Sequence, residues 1–278
     1  MVTDTELRWP EKKELFGVRV SVTTCDEAVE AILQAARRHV STVVSLHPVH
    51  GVVTASGDPA LREATNTFEL VVPDGQPVRW ALNLLHRAGL RDRVAGAHLM
   101  WCLCRRAAEE GVPIYLYGSS AAVLESLQTN LRARFPRLSI AGAQSPPFRR
   151  LTPQEDQATV SRINASGAGI VFLGLGYPKQ DYFALEHRHR VRAVMVCVGA
   201  VFDFHSGHKK RAPVWMQRCG LEWLYRLIQE PRRLWRRYLV TNTLFLAKLA
   251  LALLSAPWRP KSAPRPAAPD PPSGMRQP

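Results

Sequence analysis

The sequence predicts an α/β fold: a mostly parallel sheet with helices on both faces, followed by a basic helical appendage at the C-terminus. Apolar, β-rich runs alternate with segments of helical periodicity from residue 42 to residue 198. Those runs are apolar throughout, which is typical of parallel strands whose two faces are both covered by helices. After about residue 208 the composition changes, and arginine, lysine and tryptophan become frequent.

The elements are predicted in the following order along the chain. Segment 14–24 predicts a short strand or hairpin, and segment 26–39 predicts a helix with Asp26 as its N-cap. Further strands are predicted at 42–46, 68–72, 114–117, 138–141, 170–175 and 193–198. Helices are predicted between them at 77–88, 97–110, 120–134, 153–166 and 179–189. In such sheets ligands bind beyond the carboxyl ends of the strands.

The C-terminal part divides into two predicted segments after an α/β core at 1–207. Residues 208–255 form the predicted basic, tryptophan-rich, membrane-associating appendage, and the proline-rich residues 256–278 are predicted to be a disordered tail. Between 209 and 238 nine basic residues stand against two acidic ones, Glu222 and Glu230. The apolar run 239–254 is expected to be too short and too polar to span a bilayer, but it suits a helix in a membrane interface or docked on the core.

The net charge and the cysteines indicate the class of partner and the cellular compartment. A formal net charge of +14 favours an anionic partner, namely nucleic acid, an acidic membrane surface or a phosphorylated substrate. The five cysteines include no CxxC pair, so buried or inert thiols in a reducing compartment are expected. The N-terminal residues lack the apolar core of a signal peptide, so a cytoplasmic location at a membrane face is expected.

Asp74 stands where a predicted strand ends and a helix begins, in the stretch VVPDGQPVRW. A carboxylate at that edge suits a general base that deprotonates an attacking hydroxyl. A turn-forming aspartate, satisfied by nearby backbone N–H groups, is the alternative interpretation.

Two glycine-containing turns have the form of an anion site. GLGYPKQD at 174–181 and YLYGSSAAV at 115–123 each join a predicted strand to a helix. Free N–H groups at a helix N-terminus bind phosphate, although strand-to-helix turns use glycine in any case. Neither turn matches GxGxxG or a P-loop, which argues against a standard dinucleotide fold and against an ATPase.

Arg226, Arg233 and Arg236 are spaced by seven and three residues and are predicted to share one face of one helix. Guanidinium groups suit phosphates because their fork bonds two oxygens at once. A solvated or lipid-facing basic surface is the alternative. No DxD pair or histidine cluster is visible, so no metal and no cofactor are expected, and arginines and helix ends would have to bind a diphosphate.

Five motifs in consistent order resemble glycosyltransferase family 26, the WecG/TagA/CpsF family. They are PDG at 73–75, RVAG at 93–96, GLGYPKQD at 174–181, RAPVW at 211–215 and GLEWLYRL…EPRRLWRRY at 220–238. The resemblance implies a Rossmann-like core, UDP-sugar donors and polyprenyl-diphosphate-linked acceptors at the inner face of the cytoplasmic membrane. It also implies cell-surface polysaccharide synthesis without a metal, and a C-terminal appendage that aids membrane binding and lends arginines to the site.

The resemblance assigns roles to particular positions. Asp74 matches the proposed catalytic base, Arg93 and Gln180 match polar residues of the sugar-nucleotide pocket, and the three appendage arginines match residues facing the diphosphate. The remaining expected substrate-binding positions belong to the same motifs and turns: Ser45, His47, Gly75, Gly96, His98, Gly118, Gly174, Gly176, Pro178 and Lys179.

Three motifs depart from the family pattern. Its Thr-x-Asn reads Ser45-Leu46-His47, its Gly-x-Asp reads Gly96-Ala97-His98, and the glutamate after PKQ is Asp181. The two histidines change charge and hydrogen-bond donors near the expected acceptor or sugar, so the substrate does not follow from the resemblance.

The resemblance implies an inverting transfer in which Asp74 takes the proton of the acceptor hydroxyl. Three other functions stay open on the sequence alone: a non-catalytic membrane-bound partner of a polysaccharide assembly complex, a basic nucleic-acid-binding protein, and a different nucleotide-dependent enzyme such as an oxidoreductase. The basic residues are interleaved with large apolar ones and no nucleic-acid-binding motif is visible, so no nucleic-acid partner is expected.

Overall fold

The structure is a computed structural model and describes residues 7–255, so the tail predicted at 256–278 lies outside the described residues. It begins with the antiparallel hairpin of β1 (Lys12–Leu15) and β2 (Val18–Ser21). Gly17 lies in its tight turn at a φ of 86°, which a glycine adopts without strain. The hairpin predicted at 14–24 is thereby confirmed, shifted slightly towards the N-terminus.

The central sheet has six strands, all parallel. They are β3 (Thr42–His47), β4 (Leu70–Pro73), β5 (Ile114–Gly118), β6 (Ile140–Gln144), β7 (Ile170–Gly174) and β8 (Val194–Cys197). Their order across the sheet is β4-β3-β8-β7-β5-β6. The predicted parallel, Rossmann-like α/β sheet is confirmed, and every predicted strand of this sheet is present.

Helices cover both faces of the sheet. They are α1 (Cys25–Arg37), α2 (Val49–Gly57), α3 (Pro59–Thr67), α4 (Gln76–His86), α5 (Gly96–Glu110), α6 (Ala121–Arg134), α7 (Pro153–Ala165), α8 (Lys179–His187) and α9 (Val201–His205). The sheet has an apolar core on each face, and successive residues of a strand pack into opposite cores because side chains alternate along a strand. Val44 packs with α1, α5 and α6, whereas Val43 packs on the opposite side with residues of the hairpin, α2 and α4.

Some local predictions were wrong. The side chain that caps α1 is Thr24 and not Asp26: Thr24 and Glu27 form a reciprocal capping box. Helices α2 and α3 were not predicted. The α2 segment is rich in valine and glycine and shows weak helical periodicity. Helix α3 was missed although Asp58 caps it and Pro59 begins it. The short α9 was also missed.

The appendage consists of α10 (Val214–Arg218), α11 (Glu222–Gln229) and α12 (Pro231–Ser255). Helix α12 docks one stripe on the core through Leu234, Thr241 and Phe245, which are buried. The Phe245 ring meets that of Phe16 edge-on at 5.4 Å. Docking on the core, one of the two placements expected for 239–254, is thus realised along one face of the helix.

The expectation that no segment could span a bilayer was wrong by length and composition. Helix α12 has 25 residues with a window of mean hydropathy 1.6, of which 11% is buried in the protein. The predicted run at 239–254 is shorter than the 18-residue window because it leaves out flanking residues of the helix such as Tyr238 and Ser255. This is weak support for a membrane-spanning role, since core helices of soluble proteins satisfy the same criterion. Its largely exposed apolar face is the more specific observation.

Candidate active site

The site lies at the carboxyl edge of the sheet, where Asp74 follows β4. The backbone N–H of Asp74 donates to the His47 carbonyl at 3.2 Å, which fixes Asp74 beside the end of β3. Asp74 also forms an isolated parallel bridge with Val94, just before α5. The predicted position of Asp74 at the carboxyl end of a strand is confirmed.

The surroundings of Asp74 raise the pKa of its carboxyl group. Burial, and next the negative charge of Glu222, raise its pKa from 3.8 to about 6. Arg93, the backbone N–H of Gly96 and Arg226 act in the opposite direction and limit the rise. A carboxyl with a pKa near 6 is ionised at neutral pH yet basic enough to accept a proton, which is what a general base requires.

Two predicted glycines shape the space around Asp74. Gly75 adopts a φ of 87° at the N-terminus of α4, a conformation that other residues rarely adopt. A Cβ on Gly96 would lie 2.7 Å from Leu46 Cδ2 and 3.9 Å from Asp74 Oδ2. Any larger residue at position 96 would therefore press on the strand end and on the carboxylate.

Arg93 ties the appendage to the core beside Asp74. Its side chain, 9% exposed, forms an ion pair with Glu222 at the start of α11. It also donates to Gln217 Oε1 at 3.3 Å, and Gln217 accepts from Arg211 at 3.1 Å. The two arginines thus share an appendage glutamine, so Arg93 is a link between core and appendage as well as a candidate ligand-binding residue.

The predicted arrangement of the appendage arginines needs a correction. Arg226 lies on α11 and Arg233 and Arg236 lie on α12, because the helix breaks at Glu230–Pro231, so they do not share one helical face. Proline lacks the N–H that a continuous helix would need at that point.

The arginines also differ in their surroundings. The Arg226 guanidinium lies 5.5 Å from the centre of the Phe204 ring. Its positive charge acts to lower the pKa of Asp74. Arg233 bonds Glu230 at 2.6 Å, while Arg236 is exposed. Of the three, Arg226 is best placed to act at Asp74.

Sequence reasoning missed Arg237, which joins this group of cations. Burial, and then the positive charges of Arg233 and Arg226, lower the pKa of half-buried Arg237. The charge of Arg237 also affects His50 of α2. Burial, and next the positive charge of Arg237, lower the pKa of His50 to about 4, so its imidazole is neutral at pH 7. The charges of Arg226, Arg233 and Arg237 therefore interact with one another and share the acid Glu230, an excess of positive charge that favours an anionic ligand.

The acidic residues of the basic appendage are the sequence signal that could have shown where the appendage contacts the core. Glu222 and Glu230 are the two acids between residues 209 and 238. Both form ion pairs, Glu222 with Arg93 and Glu230 with Lys209 and Arg233. Glu222 also raises the pKa of Asp74, so it belongs to the site although it was not predicted as a site residue.

The glycine turns lie at the same edge, after β5 and β7. A Cβ on Gly118 would come within 2.6 Å of the Gly174 carbonyl carbon, and one on Gly174 within 2.4 Å of the Phe202 ring. Close packing accounts for both glycines. Gly176 instead needs its φ of 80°, with open space around its Cα.

Helix α8 begins directly after this loop. Pro178, preceded by a cis peptide bond, occupies its N-cap position, and Lys179 is exposed at its first residue. Gln180 is buried, and its Oε1 atom has no hydrogen-bond partner among the described residues. That atom lies next to Gly199, where an added Cβ would be 3.1 Å away. A buried acceptor without a partner is costly, so Gln180 is a strong candidate for a ligand contact.

The predicted roles of Ser45 and His47 need a correction. Their side chains are fully buried and both bond Asp181: the Ser45 hydroxyl at 2.9 Å and His47 Nε2 at 3.0 Å. They therefore hold β3 against the first turn of α8 beneath the ligand edge. Three residues that depart from the family pattern, Ser45, His47 and Asp181, thus meet in one cluster, where a histidine longer than asparagine reaches an aspartate shorter than glutamate.

The predicted placement of His98 also needs a correction. Its side chain is exposed and its Nε2 lies 3.6 Å from Cys102 Sγ, one turn along α5. Cys25 lies close by, and the ligand atoms of the three residues are all within 4.8 Å of one another. The sequence analysis predicted no such cluster, because Cys25 is far away along the chain. Burial of the thiols holds for Cys104 and Cys197 alone, since Cys219 is exposed and the other two are partly exposed.

Asp74→Asn is expected to stabilise the fold at pH 7. Because the folded pKa of about 6 exceeds the unfolded value of 3.8, ionised Asp74 costs the folded state on the order of 1–3 kcal/mol above pH 6. That cost fades as the pH falls from 6 towards 4. Urea unfolding should show Asp74→Asn more stable at pH 7 and nearly equal to the wild type at pH 4. Equal stability at both pH values would contradict the raised pKa, and exposed Glu63→Gln serves as the matched control.

A family comparison fits this geometry. The model of the glycosyl transferase WecG/TagA/CpsF family matches residues 13–259 of the 278-residue chain. The match includes the hairpin, the whole sheet, the arginine-bearing helices and every candidate site residue discussed above.

Proposed function

The chain belongs to the WecG/TagA/CpsF family of glycosyltransferases, and we propose that it transfers a sugar, with inversion, from a UDP-sugar to a polyprenyl-diphosphate-linked saccharide. Family membership supports a glycosyl transfer in polysaccharide biosynthesis. The observation that carries the finer proposal is the pairing of a carboxyl of raised pKa, Asp74, with converging arginines at the ligand edge of the sheet.

The chemical step follows from these two groups. Asp74 accepts the proton of the acceptor hydroxyl as that oxygen bonds to the anomeric carbon. The bond from the anomeric carbon to the diphosphate oxygen breaks, and UDP leaves with the electron pair. Attack opposite the leaving group inverts the anomeric centre.

The arginines supply the positive charge that the leaving diphosphate needs. Arg226 lies close enough to Asp74 to act on its charge, and Arg237 lies close enough to Arg226 for their charges to interact. Removing one preorganised hydrogen-bond donor from developing negative charge costs about 2.7–4 kcal/mol in a transition state, so donors of this kind, here arginines, are proposed to take the place of a metal. Arg93 and Gln180 complete the proposed pocket, with Gly176, Pro178 and Lys179 forming the loop above it.

The exposed face of α12 supports a peripheral location on an anionic membrane, at its cytoplasmic side. Leu239, Leu246 and Leu254 are 62%, 64% and 84% exposed. Trp215 and Trp235 are also more than half exposed, and indoles favour the interface between lipid and water. Arginines on the same helices add about 1 kcal/mol each towards anionic lipid.

Replacing Leu239 and Leu246 together by glutamate is expected to weaken binding to anionic liposomes at least about tenfold, because two apolar contacts are lost. Co-sedimentation measures it, with Phe148→Glu on the loop after β6, 90% exposed, as control. Unchanged lipid binding would remove this face from the membrane proposal. Tight oligonucleotide binding that the same variant retains would favour the nucleic-acid alternative instead.

The proposed function is tested by incubating the full chain with anionic liposomes, a panel of UDP-sugars and short polyprenyl-diphosphate saccharides in the presence of EDTA. UDP release together with a product heavier by one sugar is the expected result. Folded, lipid-bound protein that releases no UDP from any donor would overturn the proposal in favour of a non-catalytic assembly partner.

A further inference from the structure

A cluster outside the proposed transfer site combines two thiols and an imidazole. Cys25 is the first residue of α1, and His98 and Cys102 lie one turn apart on α5. Their Sγ and Nε2 ligand atoms all lie within 4.8 Å of one another, and the pair on α5 is 3.6 Å apart. Nothing in the sugar transfer described above uses these side chains.

Local structure fixes the two helices that carry the cluster. The capping box of Thr24 and Glu27 sets the first turn of α1 and therefore the position of Cys25. Residues four apart on a helix lie on one face, so His98 and Cys102 point the same way. Both helices bury their other faces in the same apolar core, through residues such as Ile32 and Leu103. The cluster is thus held between two packed helices and does not lie on a loose loop.

The spacing suits a tetrahedral metal ion. Zn–S bonds of about 2.3 Å and Zn–N bonds of about 2.0 Å place neighbouring ligand atoms about 3.3–3.8 Å apart in a tetrahedron. The His98–Cys102 distance of 3.6 Å already lies in that range. The other two pairs lie within 4.8 Å, so the Cys25 side chain has at most about 1 Å to move for a metal to join all three atoms.

We propose that Cys25, His98 and Cys102 bind Zn²⁺, with a fourth coordination position open to solvent. Two thiolates and an imidazole favour zinc over magnesium or calcium, which take oxygen ligands. Each cysteine releases its proton to solvent on binding, and the neutral histidine donates through Nε2. His98 is exposed, so the ion has a direct path of entry and water can fill the fourth position.

The proposed ion would join α1 to the first turn of α5. That turn begins at Gly96, whose backbone N–H donates to Asp74. Zinc would therefore stabilise the end of α5 that holds the carboxylate, acting on the fold and not on the chemical step. A zinc site of this kind is independent of the transfer reaction, and its test does not require activity.

The test uses the full chain, reduced and freed of metal, then loaded with Zn²⁺ or Co²⁺ and dialysed. Metal analysis should give one bound ion per chain, and Co²⁺ should produce the intense absorption of sulfur-to-cobalt charge transfer. Mg²⁺ should give neither. Cys102→Ser and His98→Ala should each weaken binding at least tenfold, while Cys219→Ser, which removes an exposed cysteine elsewhere, should bind as the wild type.

Measurements of folding and thermal stability provide further tests of the proposal. Circular dichroism should show each variant folded, and zinc should raise the melting temperature of the wild type but not of Cys102→Ser. Reduced wild-type protein that binds no zinc would overturn the proposal. A Cys25–Cys102 disulfide in air, with no metal binding after reduction, would identify a redox pair in its place. Binding that survives both Cys102→Ser and His98→Ala would place the ion elsewhere.

Discussion

Asp74→Asn is expected to lower kcat of the proposed transfer by about 10²–10⁴-fold, because an amide cannot take the proton of the acceptor hydroxyl. The amide oxygen can still accept from the Gly96 N–H, so the local geometry is preserved. Steady-state UDP release with saturating donor and acceptor measures the effect. Exposed Glu63→Gln on α3, which changes the same chemical group away from the site, should leave kcat unchanged.

Loss of activity in Asp74→Asn has to be separated from loss of structure. The same variant is expected to be more stable than the wild type at neutral pH, so its unfolding curve provides the check. A stable variant that transfers sugar within about threefold of the wild type would remove Asp74 as the base.

Arg226→Ala is expected to lower kcat/KM by about 10²–10³-fold, since it removes a cation aimed at the departing diphosphate. Arg237→Ala should have a similar effect, because the two guanidinium groups lie close enough for their charges to interact. Arg233→Ala should cost less, since Glu230 already neutralises part of its charge. Initial rates at varied donor concentration, with folding checked by circular dichroism, measure the series.

Arg236→Ala is the informative comparison within this series. Its side chain is exposed, and it was predicted to face the diphosphate from both the spacing and the family resemblance. The structure predicts a smaller loss for Arg236→Ala than for Arg237→Ala. The opposite order would show that the catalytic conformation of α12 differs from the one described here. Exposed Arg232→Ala is the control for a general loss of charge.

The sheet could be predicted from sequence because its signal is local. Runs such as IVFLGL at 170–175 are apolar at every position, which indicates a strand covered on both faces. Asp74 could be placed for the same reason, since the end of the apolar run marks the carboxyl end of β4. Helix α2 was missed because glycine and valine have weak helical propensity and packing supplies its stability. Helix α3 was missed despite the local signals of its Asp58 N-cap and Pro59 at its first position.

The errors at the site have a different physical origin. Ser45 and His47 bond Asp181 from more than 130 positions away along the chain, and no local pattern shows that such side chains are buried. The break at Pro231 separates α12 from α11, so spacing counted across it did not reveal Arg237 as a neighbour of Arg226 and Arg233. Cys25 and His98 meet only because α1 and α5 pack together. Contacts that depend on tertiary packing were the ones that sequence periodicity did not reveal.

The most direct test of the central claim, that Asp74 is the base of a metal-independent transfer, is the pH dependence of kcat/KM in the presence of EDTA. The raised pKa predicts half-maximal kcat/KM at about pH 6, because protonated Asp74 cannot accept a proton. Below that value kcat/KM should fall about tenfold per pH unit, and above it the profile should level off. Asp74→Asn should lose this acid limb. A wild-type profile that stays flat down to pH 4.5, or the same limb retained in Asp74→Asn, would contradict the account.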